Sequence, residues 1–148
     1  MRSIKHAIVI GLMLLSVNSI AQTREIMTNQ EIVTKFLDGF NNPEKIQQSL
    51  ALLAADYQFK NPMVALNSKS EFITLATEMG KILTGIRLIN TAENGNWVAV
   101  YYEFLSSIPG LESNLATEWF RIESGMIRES VLIYDASEWR KVYDQMDK

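Results

Sequence analysis

Two hairpin signals in the second half of the chain restrict the fold more than any other feature. Asn94-Gly95 and Ser124-Gly125 are dipeptides that favour tight two-residue turns. Each separates two long runs rich in β-branched and aromatic residues: 86–93 and 97–106, then 115–123 and 126–134. The sequence therefore predicts a meander of four long antiparallel strands.

The first half of the chain shows helical periodicity instead. Thr28 and Glu31 form a capping-box pattern ahead of an apolar stripe, which predicts a helix from about Asn29 to Phe40. Similar signals predict four further elements. The first two are a helix that begins at Asn42-Pro43 and turns Ile46, Leu50 and Leu53 inward, and a strand at 57–61. The other two are a helix that begins at Ser68 and is ended by Gly85, and a terminal helix that begins with Asp135 and Glu138.

This order of elements, helices first and long strands after, predicts an α+β fold. We expect a strongly curved antiparallel sheet wrapped on the N-terminal helices, followed by a short C-terminal helix.

The beginning of the chain has the pattern of a signal peptide. Arg2 and Lys5 precede an apolar run at 7–17, which is shorter than the roughly 20 residues that a membrane span needs. Ser19-Ile20-Ala21 supplies small residues for cleavage after Ala21. The alternative is a retained N-terminal anchor. We expect residues 1–21 to be removed and the protein to be exported, either to a periplasm or outside the cell, with no membrane insertion after cleavage.

Within the remaining chain, residues 22–27 are predicted to form a flexible lead and residues 28–148 a single domain. Removing residues 1–21 takes away two basic residues and no acid, so the formal net charge changes from −3 to −5. An acidic domain without a basic cluster does not suit nucleic acid or an anionic membrane surface.

Cysteine is absent, and the one histidine, His6, lies in the predicted signal peptide. These absences exclude disulfides, Ser-His-Asp and Cys-His catalysis, and zinc sites built from His or Cys. The acids Glu103, Glu118 and Asp135 lack the spacing of a calcium loop. We therefore expect no metal and no cofactor.

Three phrases of the chain resemble the nuclear-transport-factor-two-like superfamily, which includes SnoaL-like cyclases and ketosteroid isomerases. The phrases are LAADYQFKNPM (53–63), ENGNWVAVYYEF (93–104) and ATEWFRIESGMIRESVLIYD (116–135). With the helices, the resemblance covers essentially the whole chain after residue 21. It implies a cone that opens to a mostly apolar pocket, and often a dimer formed through the outer face of the sheet.

The resemblance also implies roles for single residues. The isomerase base is an Asp before Pro, but this chain has Asn61-Pro62, and Asn cannot accept and return a proton. Glu118 matches the carboxylic acid of the oxyanion hole and is the catalytic candidate. Phe36 falls near the tyrosine of the first helix and has no hydroxyl. The expected pocket residues are Phe36, Tyr57, Phe59, Asn61, Met63 and Phe120.

Strand alternation then places Glu118 inward, beside Phe120, and Trp119 and Arg121 outward. If Glu118 is buried, desolvation raises its pKa and a neutral acid can donate to a ligand carbonyl. Alternatively, Glu118 pairs internally with a Tyr hydroxyl or with Asn61. The outward Trp119 favours a homodimer.

The face of strand 97–106 that lines the pocket stays open: Tyr101 and Glu103 share one face, Tyr102 and Phe104 the other. Two functions also stay open. The first is a module that binds a small apolar molecule. The second is a cyclase, isomerase or hydratase that acts on a carbonyl compound with Glu118 as acid. A second ionisable group facing Glu118 would favour the enzyme.

Overall fold

The computed structural model describes residues 26–146, so the predicted signal peptide and residues 22–25 of the predicted lead lie outside the described residues. In chain order the elements are α1 (Asn29–Asp38), a 3₁₀ turn (Pro43–Lys45), α2 (Ile46–Leu50), β1 (Leu53–Lys60), β2 (Ala65–Leu66), α3 (Lys69–Met79), β3 (Leu83–Asn94), β4 (Trp97–Ser106), β5 (Ser113–Glu123), β6 (Met126–Tyr134) and α4 (Ser137–Met146). The predicted α+β class is confirmed.

One six-stranded sheet with the order β2-β1-β6-β5-β4-β3 forms the frame of the fold. The predicted meander β3–β6 is confirmed, and both hairpin turns have a glycine at positive φ, Gly95 and Gly125. The sheet is not antiparallel throughout, because β1 pairs with β6 in parallel. Register shifts leave extra residues in β1, β3 and β6, and such bulges bend strands, which suits a sheet that curves around helices.

The start of α1 agrees with the sequence prediction, because Thr28 and Glu31 form the complete capping box. The start of α3 agrees in part. Ser68 accepts a hydrogen bond from the Glu71 amide, while the Glu71 carboxylate accepts from the backbone amide of Asn67 rather than that of Ser68.

Several predicted boundaries are wrong. Leu53 begins strand β1 rather than facing inward from a helix, and Asn42 makes no side-chain cap. Helix α3 already ends at Met79, so Leu83 and Gly85 belong to β3. The residues around Leu83 fit the period of a helix as well as that of a strand, and pairing with β4 places them in a strand.

The C-terminal helix also begins differently from the prediction. Asp135 accepts a hydrogen bond from the Ser137 amide, but the Glu138 carboxylate pairs with Lys141 instead of closing a capping box.

The core lies on the concave face of the sheet, under α1 and α3. Phe36 of α1 packs edge-on against Phe120 of β5, with ring centroids 5.8 Å apart. Both side chains are buried, whereas Trp119, the neighbour of Phe120, is half-exposed on the convex face. The same strands therefore present a packed side and a solvent side. No helix within residues 26–146 has both the length and the apolar character needed to cross a membrane.

Candidate functional site

A cavity of about 240 Å³ lies between the concave face of the sheet and the helices. Twenty residues line it, and most of them are aliphatic or aromatic. Helices α1, α3 and α4 supply residues such as Phe36, Phe72 and Trp139, while β4 and β5 supply Tyr102 and Glu118. An apolar concavity with few polar groups is the usual form of a small-molecule site.

Glu118 is the one acidic residue that lines this cavity among the described residues. Strand alternation on β5 turns it inward between Ala116 and Phe120, and it is only 4% exposed. Its Oε2 accepts a hydrogen bond of 2.9 Å from the Tyr102 hydroxyl. Its Oε1 accepts one of 2.6 Å from the Ser130 hydroxyl. Both carboxylate oxygens therefore have a hydroxyl donor, and neither has a cationic partner.

The hydrogen-bond network continues from Ser130 to β1. The Tyr57 and Ser130 hydroxyl oxygens lie 2.6 Å apart, and both side chains are fully buried. Since Ser130 has a single proton and gives it to Glu118, Tyr57 must donate to Ser130 when Glu118 is ionised. If Glu118 is protonated, it can donate to Ser130, which then turns its own proton toward Tyr57. The network is thus compatible with both charge states.

Burial sets the electrostatics of this site. Desolvation raises the pKa of Glu118 from 4.5 to about 7, although the hydrogen bonds from Ser130 and Tyr102 oppose the rise. Desolvation also raises the pKa of Tyr57 and of Tyr102 well above 10, and the nearby Glu118 charge adds to both shifts. Glu118 is therefore close to half-ionised at neutral pH, while the two tyrosines keep their protons.

The structure places the predicted pocket residues in two groups. Phe36, Phe59, Asn61, Met63 and Glu118 line the cavity. Tyr57 and Phe120 are fully buried beside it and are not among the lining residues. Tyr57 is linked to Glu118 through hydrogen bonds of Ser130, and Phe120 packs against Phe36. Whether any of these residues contacts a ligand remains a prediction.

Asn61 has a local structural role at the edge of the cavity. Its Oδ1 accepts hydrogen bonds of 2.8 Å from the backbone amides of both Met63 and Val64. The side chain thereby closes the turn that leads from β1 to β2. Asn61 does not pair with Glu118, so of the two internal partners considered from the sequence the structure selects a tyrosine hydroxyl.

Sequence reasoning missed Ser130 and left Tyr102 undecided. The structure turns Tyr102 and Phe104 to the concave face and Tyr101 and Glu103 to the convex face. The apolar residues Val98 and Val100 lie on the same face of β4 as Tyr102, and this alternation in the sequence could have identified the face that lines the pocket.

Helix α4 covers one side of the cavity with Trp139 and Tyr143. The Trp139 indole donates to Asn114 Oδ1 at 3.0 Å, and Arg140 donates to the Pro62 carbonyl at 3.0 Å. These two bonds fix the helix to β5 and to the turn after β1.

Within the described part of the chain, His, Cys, Asp and Glu side chains do not gather in groups of three or more that would suit a metal ion. The carboxylate of Glu103 pairs with Arg87 on the convex face and does not line the cavity. Asp135 is engaged with Ser137 at the start of α4.

Solved structures with the same fold are numerous, although no protein-family model and no curated protein sequence matches the chain. An NTF2-like (nuclear-transport-factor-two-like) protein of unknown function from Cytophaga hutchinsonii is 18% identical, with a TM-score of 0.66 over 81% of this chain and 98% of that chain. A putative polyketide cyclase from Sinorhizobium meliloti is 13% identical, with a TM-score of 0.61 over 72% and 99%.

A third neighbour is a hypothetical protein with a ketosteroid isomerase-like fold from Catenulispora acidiphila, in complex with trimethylamine. It is 16% identical, with a TM-score of 0.62 over 74% of this chain and 89% of that chain. At these identities the likeness concerns the fold alone. The chain therefore has the cone-shaped NTF2-like fold, and its function must be argued from its own site.

Proposed function

We propose that this protein binds a small, mostly apolar molecule in the cone cavity, with Glu118 as the polar anchor. The observation that carries the proposal is a nearly buried carboxyl group on the wall of an otherwise apolar cavity. Burying an ionisable group is unfavourable unless its partners compensate, and here the partners are only two hydroxyl groups. A ligand whose polar group meets Glu118 would add the missing interaction.

The shape and chemistry of the cavity support a small ligand. Aromatic and aliphatic side chains dominate the lining, so most of the binding free energy would come from apolar contact. The trimethylamine complex of the Catenulispora acidiphila neighbour supports small-molecule binding in a chain of this fold.

The test is thermal unfolding of the purified protein with a panel of small cyclic ketones, alcohols and amines. A bound ligand raises the unfolding temperature by mass action, so at least one panel member should raise it in a concentration-dependent way. Native mass spectrometry of the protein as purified should also detect a co-purified small molecule. Glu118→Leu should reduce the shift, whereas Glu103→Gln on the convex face is the matched control and should keep it.

The proposal fails if no panel member changes the unfolding temperature at millimolar concentration and nothing co-purifies. A shift that persists unchanged in Glu118→Leu would move the binding site away from Glu118.

The second candidate is an enzyme that acts on a carbonyl compound with Glu118 as the acid. A pKa of about 7 favours it, since an acid of that strength holds and releases a proton near neutral pH. However, the ionisable groups next to Glu118 are Tyr102 and Tyr57, whose raised pKa values prevent either from acting as a base near neutrality. Asn61 cannot carry a proton either. Binding without turnover therefore fits the site better.

We further propose a homodimer through the convex face of the sheet. Tyr101, Thr117 and Ile133 are direct cross-strand neighbours there, and the half-exposed Trp119 lies in the adjacent row. A contiguous exposed apolar surface of this kind favours association. Sedimentation at micromolar concentration should give about twice the monomer mass, and Trp119→Ala should shift it toward the monomer. Leu88→Ala is the matched control, because Leu88 is 44% exposed and Trp119 45%.

Export is proposed on the pattern of residues 1–21. Protein recovered from outside the cytoplasm should begin at Gln22 when its N-terminus is sequenced. A membrane-bound product that still begins at Met1 would refute the proposal.

A further inference from the structure

Glu118 differs in its partners from the carboxylates that form ion pairs. A basic side chain neutralises each of those acids, in the pairs Asp38–Lys45, Asp56–Arg128, Glu78–Lys81, Glu103–Arg87, Glu123–Arg121, Glu129–Arg121 and Glu138–Lys141. Glu118 has only the hydroxyl groups of Tyr102 and Ser130. No Lys or Arg from the described residues lines the cavity. The cavity therefore holds an acid without its counter-charge.

The rest of the lining is suited to a cation as well. Nine of the twenty lining residues are aromatic, and they come from both sides of the cavity. One group is centred on Phe36 and Phe72, and another joins Phe104 to Tyr134 and Trp139 with centroid distances of 5.5 and 5.6 Å. The faces of aromatic rings carry partial negative charge and attract organic cations, most strongly where water is excluded.

From these two observations we propose that the ligand is a small hydrophobic amine, bound as a monovalent cation with its ammonium group at Glu118. This inference rests on the proposed binding function and names its ligand class. The hydrocarbon part lies against the aromatic walls, and the ammonium group supplies the positive charge that Glu118 lacks. Tyr102 and Ser130 hold the carboxylate oxygens in place by donating to them.

Binding of a cation would ionise Glu118 and release its proton to solvent. The groups that face Glu118 or its hydrogen-bond partners are tyrosines: Tyr102 from β4, Tyr57 from β1 and Tyr134 from β6. Burial raises the pKa of Tyr134 to about 12 and that of Tyr102 and Tyr57 well above 10. On the helical side, α1 and α3 contribute phenylalanines, and α4 contributes Trp139 and Tyr143, whose pKa is also raised by burial. Between pH 5.5 and 8.5, Glu118 is therefore the group in this site that titrates.

Three ligands of nearly equal shape separate the possibilities: cyclohexylmethylamine, which is a cation below about pH 9, cyclohexylmethanol, which is neutral, and cyclohexyl methyl ketone, which is a neutral acceptor. Their affinities are measured by calorimetry at pH 5.5 and 8.5. If the ionised carboxylate is the form that binds, the amine should bind roughly 30-fold more tightly at pH 8.5, because only a few per cent of Glu118 is ionised at pH 5.5. The alcohol should show no such change.

Two further readouts tie the effect to Glu118. Calorimetry near pH 6 in buffers of different ionisation enthalpy should show release of close to one proton per amine bound and none for the alcohol. Glu118→Gln should abolish both the proton release and the pH dependence, and Glu103→Gln should leave them intact. If Glu118→Gln does not fold, the proton release of the wild-type protein decides the question alone.

The outcomes are distinguishable. If the ketone or the alcohol binds at least as well as the amine at both pH values, the amine is the wrong ligand class while the binding function stands. Tighter ketone binding at pH 5.5 would identify Glu118 as a neutral donor instead. If none of the three binds at either pH, the amine proposal is overturned, and the remaining ligand panel decides whether the binding function is lost with it.

Discussion

Glu103 and Glu118 lie on neighbouring antiparallel strands and are both nearly buried, yet they face opposite sides of the sheet. Glu103 is 8% exposed and Glu118 4%. On the convex face, hydrogen bonds from Ser113 and Arg87 lower the pKa of Glu103. On the concave face, desolvation raises the pKa of Glu118 to about 7.

The comparison shows that low exposure does not by itself decide the charge of a carboxyl group. Arg87 is 67% exposed, so the charged end of Glu103 meets both a cation and the solvent boundary. Glu118 meets hydroxyl groups and hydrocarbon. The charge of Glu103 is balanced by Arg87. Glu118 has only hydroxyl partners, so its negative charge is unbalanced unless Glu118 is protonated or a cation binds. That asymmetry is the reason for proposing a ligand site on the concave face.

The largest expected effect comes from the neighbouring aromatic residues of β5 on the two faces. Phe120→Ala should lower the free energy of unfolding by about 3–5 kcal/mol, because it empties a fully buried site against Phe36. Trp119→Ala should change it by about 1 kcal/mol or less in the monomer, since Trp119 is half-exposed. Urea unfolding at low protein concentration measures both. Equal losses would mean that the convex face is not a solvent face of the monomer.

The second prediction concerns pH. The pKa of Glu118 is about 7 in the folded protein and 4.5 without burial, so between these values the folded state holds a proton that the unfolded state has lost. The free energy of unfolding should therefore fall as pH rises from about 4.5 to 7, and this group should add no further change above 7. The difference between the two pKa values corresponds to a loss on the order of 3 kcal/mol.

Glu118→Gln should remove this pH dependence, so the variant should gain stability relative to the wild type between pH 5 and pH 8. Glu103→Gln should behave in the opposite way. Because the folded pKa of Glu103 is lowered, its contribution is present above its unfolded pKa and is lost as pH falls through the folded value. If the free energy of unfolding of both variants changed with pH in the same way, Glu103 and Glu118 would not have oppositely shifted pKa values.

Much of the frame could be predicted from the sequence because its signals are local. Asn94-Gly95 and Ser124-Gly125 fixed both hairpins, and period-two alternation then placed Glu118 and Phe120 on the face opposite Trp119. The resemblance of Glu118 to an oxyanion acid pointed to the side chain that does line the cavity.

The remaining features depend on contacts between distant parts of the chain. Ser130 matters because the bulge between β5 and β6 brings it beside Glu118 and Tyr57, and no local pattern encodes that meeting. The helix predicted from Ser68 to Gly85 extended past Met79, because the apolar residues there fit both periods. The parallel pairing of β1 with β6 likewise requires knowledge of the whole sheet.

The smallest expected effect comes from adjacent tyrosines on β4. Tyr102→Phe removes one of the two donors of Glu118 and should lower the free energy of unfolding by about 1–2 kcal/mol above pH 7, where the carboxylate needs that donor. Because the Tyr102 hydrogen bond holds the pKa of Glu118 down, its loss should raise that pKa above about 7 and move the stability profile to higher pH. Tyr101→Phe, on the exposed side, should change neither quantity. Urea unfolding across pH measures both variants, and an unchanged profile in Tyr102→Phe would show that Ser130 alone sets the charge state of Glu118.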